Sequence, residues 1–237
     1  MTGTLINVAT VLVGTIAGSF LGDRLPARIR ETVLHSLGLV TLVVGLGEAF
    51  ELFRAPLSGY RASVVVILGA ILLGGILGEL LRIEGGLNRA GEALKRRFGK
   101  GQARFVEGFV VASLVFCVGP LTVLGSIRDG LTGDYDLLAI KALLDGFAAM
   151  AFASALGWGV GFSVITILVY QGGLSLAASS VEGVFTPVTI AALTAAGGIL
   201  ILGIGLRLLE LREVRVANLL PALVLAPVGM ALVARFG

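Results

Sequence analysis

The 237-residue sequence is poor in the residues on which most enzymes depend. It contains one cysteine, Cys117, and one histidine, His35. A single cysteine excludes a disulfide framework, and one Cys with one His argues against a Cys/His metal site. HExxH, GxSxG and Walker-type motifs are absent as well. We therefore expect neither an enzyme nor a bound cofactor. A membrane enzyme that uses two carboxylates is the alternative, without positive support.

Charge is also scarce. Only 14% of the residues are charged, 57% are hydrophobic, and the mean hydropathy is +1.01. Soluble domains carry about 25% charged residues, and a single core of this size could not hide so much apolar surface. The composition predicts an all-α, polytopic membrane protein, with residues 1–237 as one integral membrane domain. Seven or eight spans of about 20 residues account for most of the chain.

The apolar segments predict eight spans, of which the second is marginal because it is short and contains Glu48. The fifth and sixth are separated only by a turn around Gly157, so one helix broken by glycine is the alternative. Seven spans would place one terminus on the inside. The candidate spans are residues 3–22, 33–50, 62–82, 105–127, 137–157, 159–180, 188–208 and 217–235.

The only sizeable polar segment, residues 82–104, is rich in Lys and Arg and is cytoplasmic by the positive-inside rule. Eight spans then place both termini outside. Within this segment, the loop at about 83–104 includes a predicted amphipathic helix, GLNRAGEALKRRF. A basic helix of this kind lies on anionic membrane lipids, so lipids rather than nucleic acid are the expected partner.

Glycine, in contrast, is abundant, with 35 residues. Several glycines recur every four residues, a spacing that lets helix backbones approach closely. Packing within one bundle and a homo-oligomer interface both explain the pattern. The glycines concerned are Gly14, Gly18 and Gly22; Gly74 and Gly78; and Gly157 and Gly161.

A faint internal repeat relates spans two and seven. GLVTLVVGLGEAFE at 38–51 resembles GILILGIGLRLLEL at 198–211, with Gly38 aligned to Gly198 and Gly45 to Gly205. An offset of five spans inverts the direction of the helices. The pattern predicts inverted repeats, spans 1–3 and 6–8, around a central hairpin of spans 4 and 5, an architecture typical of secondary transporters. Chance similarity between two Leu/Gly-rich spans is the alternative.

The most informative stretch is the apolar segment 137–157, which contains Lys141 and Asp145. Ionisable groups are expensive in hydrocarbon and usually face a protein interior or a watery cavity. Four residues apart, the two side chains share one helix face and can neutralise each other. A structural salt bridge and a position on a transport path both explain the pair.

Span four predicts a broken helix, because Pro120 removes a backbone donor and Gly119 weakens the helix beside it. Freed carbonyls in broken membrane helices can coordinate cations. The loop that follows begins with charged residues, which are either a vestibule or simply solvated. The predicted substrate or ion path comprises Asp145, Lys141, Gly119, Pro120, Thr122, Ser126, Arg128, Asp129, Ser154 and Gln171. Whether a metal binds there is open.

Two segments carry a family resemblance. FCVGPLTVLGSIRDGLTGDYDLLAIKALLDGFAAMAFASALGWGV at 116–160, followed by YQGGLSL at 170–176, resembles the bacterial inner-membrane family of YqgA- and YdfK-like proteins (domain of unknown function 554). The opening at 3–26 resembles that family's N-terminus. The resemblance implies a multi-pass protein of the bacterial inner membrane and a candidate transporter, without indicating a substrate. LLDGFAAMAF is also similar to a motif of manganese exporters, which favours a cation among the solutes.

The sequence therefore predicts a transporter or channel for a small ion or solute that is not driven by ATP. Its path would run between spans four, five and six. Asp145 would contact a cation or take a proton, and Lys141 would tune its charge. The alternative is a structural or regulatory membrane scaffold that assembles through the glycine faces and binds lipids through the basic loop.

Overall fold

The computed structural model describes residues 1–99, 102–181 and 185–236, and in these ranges it contains α-helices and short 3-10 turns but no strand. The predicted all-α fold is confirmed. The helices are α1 (Thr2–Gly22), α2 (Ala27–Ala49), α3 (Ser63–Leu81), α4 (Ile83–Phe98), α5 (Phe105–Val118), α6 (Pro120–Thr132), α7 (Asp136–Leu156), α8 (Ser163–Leu176), α9 (Ala178–Val181), α10 (Pro187–Leu208) and α11 (Ala222–Phe236).

Among the described residues, seven helical segments are long and apolar enough to cross a bilayer, and the bent pair α5–α6 makes an eighth if it counts as one span. The predicted start of the second span is wrong. Its helix begins at Ala27 rather than residue 33, because the first turns are polar and periodicity in apolar residues does not mark them. The predicted last span, 217–235, is confirmed at Val216–Arg235, which opens with a 3-10 turn and continues as α11.

Contacts divide the chain into two compact units. The first contains Met1–Leu37 and Leu87–Val181, and the second contains Gly38–Gly86 and Glu182–Gly237. The chain passes from one unit to the other three times: inside α2, inside α4 and after Val181. The single domain expected from the sequence stays a prediction.

In the first unit, α1 and α7 pack in parallel with almost no side chain between them. Gly14 lies against the carbonyl of Gly146, Gly18 against that of Met150, and Gly22 against that of Ser154. A Cβ atom at any of these three glycines would overlap the facing carbonyl oxygen. The four-residue glycine spacing therefore serves packing within the chain, and the same holds for Gly74 and Gly78, which face Ala222 and Asn218.

Helix α8 runs antiparallel to α1. Gln171 contacts Thr4 near the start of α1, whereas Gly161, just before α8, faces Thr15. Since α1 and α7 are parallel, α7 and α8 are antiparallel. The turn at Gly157, whose φ is +81°, thus joins two separate spans, and the single broken helix considered above is wrong.

The α5–α6 pair is bent by 63° at Gly119 and is either one broken span or a re-entrant loop. The eight-span arrangement, in which the pair crosses the membrane once, stays a prediction.

In the second unit, the two segments of the predicted repeat pack against each other. Gly38 lies against Leu209 and Gly198 against Ala49, while Gly45 lies against Leu202 and Gly205 against Leu42. Gly38 and Gly198 are 160 residues apart in the sequence, and so are Ala49 and Leu209. Shifting both residues of one contact by 160 positions, in opposite directions, therefore gives the other contact of the pair. This reciprocity is what a two-fold inverted repeat would produce, and the repeat stays a prediction.

A hydrogen-bonded network fixes one end of the second unit. Glu84 accepts from Arg207 at 3.0 Å and from the backbone of Ala217 at 2.9 Å. Asn218 accepts from the backbone N–H of Glu84 at 2.7 Å and donates to Glu79 at 2.6 Å. The network ties the junction of α3 and α4 to the segment between α10 and α11, so these carboxylates act as structural links.

The topology predicts opposite sidedness for the α4 segment and the α6–α7 loop. In a Cys117→Ser background, a membrane-impermeant maleimide should label Tyr135→Cys in intact spheroplasts. It should label Arg96→Cys only after the membrane is opened. Labelling of both positions from the same side would mean that α5 and α6 do not cross the bilayer and would contradict the eight-span arrangement.

Candidate functional site

The centre of the first unit holds the predicted charge pair. Lys141 donates a short, charged hydrogen bond from Nζ to Oδ2 of Asp145 on the same face of α7. The Lys141 side chain retains 6% of its accessible surface and that of Asp145 12%. Asp145 lies near the middle of α7, a helix that is long and apolar enough to cross a bilayer. The sequence had predicted this pairing from the four-residue spacing.

A second helix completes the coordination of Asp145. Asn7 of α1 donates from Nδ2 to Oδ2 of Asp145 at 2.9 Å and to Oε1 of Gln171 at 3.0 Å. Gln171 in turn donates from Nε2 to Oγ1 of Thr4 at 3.2 Å. We call these five residues, Thr4, Asn7, Lys141, Asp145 and Gln171, the polar cluster. It links α1, α7 and α8 through buried side chains.

The glycine contacts of α1 explain why the polar cluster forms. Close approach of α1 to α7 brings the short side chain of Asn7 within hydrogen-bond distance of Asp145. Gly172, which follows Gln171, faces Thr4 and lets α8 approach α1. Helix α8 is continuous through this glycine, so the helix is not broken there.

One atom of the polar cluster has no partner. Asn7 is fully buried, and both hydrogens of its amide nitrogen are used, but its Oδ1 accepts no hydrogen bond. An unsatisfied buried acceptor costs about 1–3 kcal/mol. The cluster therefore carries a spare acceptor.

The predicted break in span four lies between α5 and α6, with Gly119 extended at ψ +152° and Pro120 opening α6. The hydroxyl of Thr122 donates to the carbonyl of Phe116 at 3.2 Å, and that of Ser126 donates to the carbonyl of Thr122. The hydroxyl of Thr122 therefore satisfies the carbonyl that Pro120, which has no N–H, leaves free, whereas that of Ser126 bonds back within α6. Ser113 and Thr166, 2.9 Å apart, link α5 to α8.

The remaining predicted residues lie at the ends of the helices. Arg128 pairs with Asp134 at the exposed loop, as expected if these charged loop residues are simply solvated. Asp129 is instead buried, with 1% of its side chain accessible, and accepts from the backbone of Gly3 at 3.2 Å. Ser154 donates to the carbonyl of Ala151, about 13 Å along α7 from Asp145 at 1.5 Å per residue.

The Ser154 end of α7 borders a cleft of about 530 Å³. It is at the side predicted to face the cytoplasm, since α7 ends there beside the basic segment. Side chains of both signs and the carboxyl end of α7 line it: Asp23, Ala27, Arg30, Glu31, Gln102, Ala103, Arg104, Ala155, Leu156 and Gly157.

Sequence reasoning missed Thr4 and the role of Asn7. Both lie in the first span, far along the chain from the charge pair, and no short-range pattern connects them to Asp145. The sequence did contain one signal for these two residues. A polar residue on a helix that also has a face of glycines marks a helix that approaches its neighbour closely.

The spans and the polar cluster define a multi-pass α-helical membrane protein. Residues 2–231 match the family described as "Protein of unknown function (DUF554)", and the chain belongs to that family.

Two relatives cover nearly the whole chain. The "Uncharacterized protein YqgA" of Escherichia coli (strain K12) is 34% identical over 229 residues, 94% of each chain. The "Uncharacterized membrane protein YdfK" of Bacillus subtilis (strain 168) is 30% identical over 237 residues, 100% of this chain and 99% of the relative. No solved structure matches the chain. The protein is thus a multi-pass bacterial membrane protein.

Burial of the charge pair predicts a strong energetic coupling between its members. Lys141→Met leaves the Asp145 carboxylate without its cation and should lower the free energy of unfolding by about 3–5 kcal/mol. Adding Asp145→Asn removes the stranded charge, so the double variant should regain most of that loss. Denaturation by SDS titration in detergent micelles measures both values.

The exposed pair Arg128–Asp134 provides the matched control. Its double-variant cycle, with Arg128→Met and Asp134→Asn, should give a coupling of less than about 1 kcal/mol, because solvent screens exposed charges. Additive effects of the two substitutions at Lys141 and Asp145 would show that these side chains do not depend on each other.

Proposed function

We propose that the protein moves a small ion or solute across the bacterial membrane without hydrolysing ATP itself. The path runs beside α5, α6, α7 and α8, the helices of predicted spans four, five and six. The observation that carries the proposal is the polar cluster. Five hydrogen-bonding side chains, two of them charged, meet at membrane depth next to a helix that is broken at Gly119.

The energetic cost of the polar cluster supports this proposal. A buried ion pair contributes little net stability compared with apolar residues of the same volume. Ionisable groups within membrane spans commonly mark paths for ions or protons. The broken span supplies a helix end in the same unit, and the substrate sites of many transporters lie beside discontinuous helices.

The cleft at the end of α7 supports the same path. It lies about 15 Å from Asp145, at 1.5 Å per residue between positions 145 and 155. The distance from solvent in the cleft to the polar cluster would then be about half the thickness of the hydrocarbon core of a bilayer. Asp145 would contact the passing cation or proton, and Lys141 would tune the charge of Asp145.

A membrane scaffold is the second candidate. It is favoured by the hydrogen bonds that Asp145 accepts from Lys141 and Asn7 and that Asn7 donates to Gln171, which would lock α1, α7 and α8 together. A scaffold uses the polar cluster only for cohesion. It predicts that flux, if any, is unaffected by substitutions in the cluster.

Flux through proteoliposomes distinguishes the two. Vesicles that contain a pH-sensitive dye receive pulses of Na⁺, K⁺, Mg²⁺, Mn²⁺ or an amino-acid mixture. The unmodified protein should give a signal for at least one of these solutes. Asp145→Asn should lower that signal by at least about tenfold, because it leaves the Lys141 ammonium without its counter-charge.

Asp134→Asn is the matched control, since it makes the same change at an exposed carboxylate. It should leave the flux within about twofold of the unmodified protein, as expected for a solvated charge. Equal flux for Asp145→Asn and the unmodified protein would count against the transport role and in favour of the scaffold.

A further inference from the structure

A carboxyl group of the second unit lies among the helices without a counter-charge. Glu48 belongs to the last turn of α2, and its side chain is half-buried. Its Oε2 is buried and accepts no hydrogen bond from the described residues. None of the ion pairs in the described part of the chain includes Glu48. Asp145, in contrast, is bound by a lysine and an amide.

The packing of α2 on α10 gives the level of Glu48 in the second unit. Gly198 lies against the backbone of Glu48 and Ala49 and is at the middle of α10, a helix that is long and apolar enough to cross a bilayer. Gly38, earlier in α2, faces Leu209, which directly follows α10. The two helices are therefore antiparallel, and Glu48 is level with the centre of a span rather than with its end.

The elements packed against Glu48 offer it no cation among the described residues. The only charged residue of α10 is Arg207, about 14 Å along the helix from the contact with Glu48 at 1.5 Å per residue, and it binds Glu84. The 3-10 turn that follows α2 contributes Glu51, which pairs with Arg54 at 3.2 Å. In its last three turns, α2 contains no ionisable side chain besides Glu48.

The lack of a cation decides the chemical form of the Glu48 carboxyl. An ionised carboxylate without a counter-charge is costly in an apolar environment, and such a group becomes neutral instead. A carboxyl becomes neutral by binding a proton, and the neutral acid gains an O–H donor that a backbone carbonyl can accept. Ionisable groups in membrane spans that have no structural partner commonly mark sites that bind protons or ions.

We propose that Glu48 is a proton-binding site of the second unit, in which the carboxyl is a neutral acid while α2 is packed on α10. Release of the proton requires water or a cation at Oε2, and therefore a change in this packing. The Glu51–Arg54 pair, which follows within two turns, supplies the nearest polar groups along the chain. This inference concerns a residue outside the polar cluster and does not rest on the proposed transport.

A hydrophobic carbodiimide tests whether Glu48 carries a proton. The carboxyl proton passes to one nitrogen of dicyclohexylcarbodiimide while the carboxyl oxygen bonds to the central carbon. A shift of the acyl group to the other nitrogen then gives a stable N-acylurea that retains every atom of the reagent. In lipid vesicles at neutral pH, peptide mass spectrometry should find this adduct at Glu48. Raising the pH should lower the labelling, because only the acid supplies the proton.

Glu51 is the matched control on the same segment, since it is ion-paired with Arg54. Its labelling by the hydrophobic reagent should be at least about tenfold lower than that of Glu48, because a paired or solvated carboxyl is almost entirely ionised at neutral pH. A water-soluble carbodiimide with glycine ethyl ester should reverse the order. It should modify the exposed Asp134 at least about tenfold more than Glu48, because Oε2 of Glu48 is enclosed.

The pH dependence of the Tm in detergent is a second test. Glu48→Gln keeps the shape of the neutral acid but has no proton to release. If the folded protein binds the Glu48 proton more tightly than the unfolded chain does, the free energy of unfolding falls as the pH rises. The Tm of the unmodified protein minus that of Glu48→Gln should therefore decrease from about pH 6 to about pH 9. The corresponding difference for Glu51→Gln should stay constant.

Two results would overturn the proton site. Modification of Glu48 by the water-soluble reagent at the rate of Asp134 would show that the carboxyl is solvated and ionised. A Tm difference for Glu48→Gln that does not change with pH, or that rises with pH, would show that folding does not tighten proton binding. Neither test measures transport, so the proton site and the flux through the polar cluster fail separately.

Discussion

A carboxylate cannot remain charged among apolar helices unless other groups compensate it, and this constraint governs the first unit. Asp145 accepts from the Lys141 ammonium on its own helix and from the Asn7 amide on another. The second bond requires α1 and α7 to lie in near backbone contact. Burial of the charge therefore dictates the glycines of α1, the parallel direction of α7 and the position of Gln171 on α8.

Glycine serves the second unit in the same way but without charge. There, Gly38, Gly45, Gly198 and Gly205 let α2 and α10 cross with reciprocal contacts. Several polar residues of this unit gather at one helix end, where Glu84 is bound by Arg207 and the backbone of Ala217. The first unit holds its charged pair at membrane depth, and this difference is why the transport path is proposed there.

The fold was largely accessible from the sequence, because long apolar segments mark the spans. The direction that the single basic loop assigns to these spans stays a prediction. The Lys141–Asp145 pair was accessible too, since four-residue spacing on one helix is a local property. Asn7 and Thr4 were not, because their partners lie more than 130 residues away and only the direction of α7 brings them together. The start of α2 was missed because Arg28, Arg30 and Glu31 interrupt the apolar pattern in its first turns.

Water access along the buried face of α7 tests the central claim most directly. In a Cys117→Ser background, Ala142→Cys and Ala149→Cys place a thiol about one turn to either side of Asp145, and Leu143→Cys places one on the apolar outer face. A water-soluble thiol reagent should modify the first two and spare the third if the polar cluster borders a polar route. Equal protection of all three positions would show that Lys141 and Asp145 are sealed in dry packing and would contradict the account.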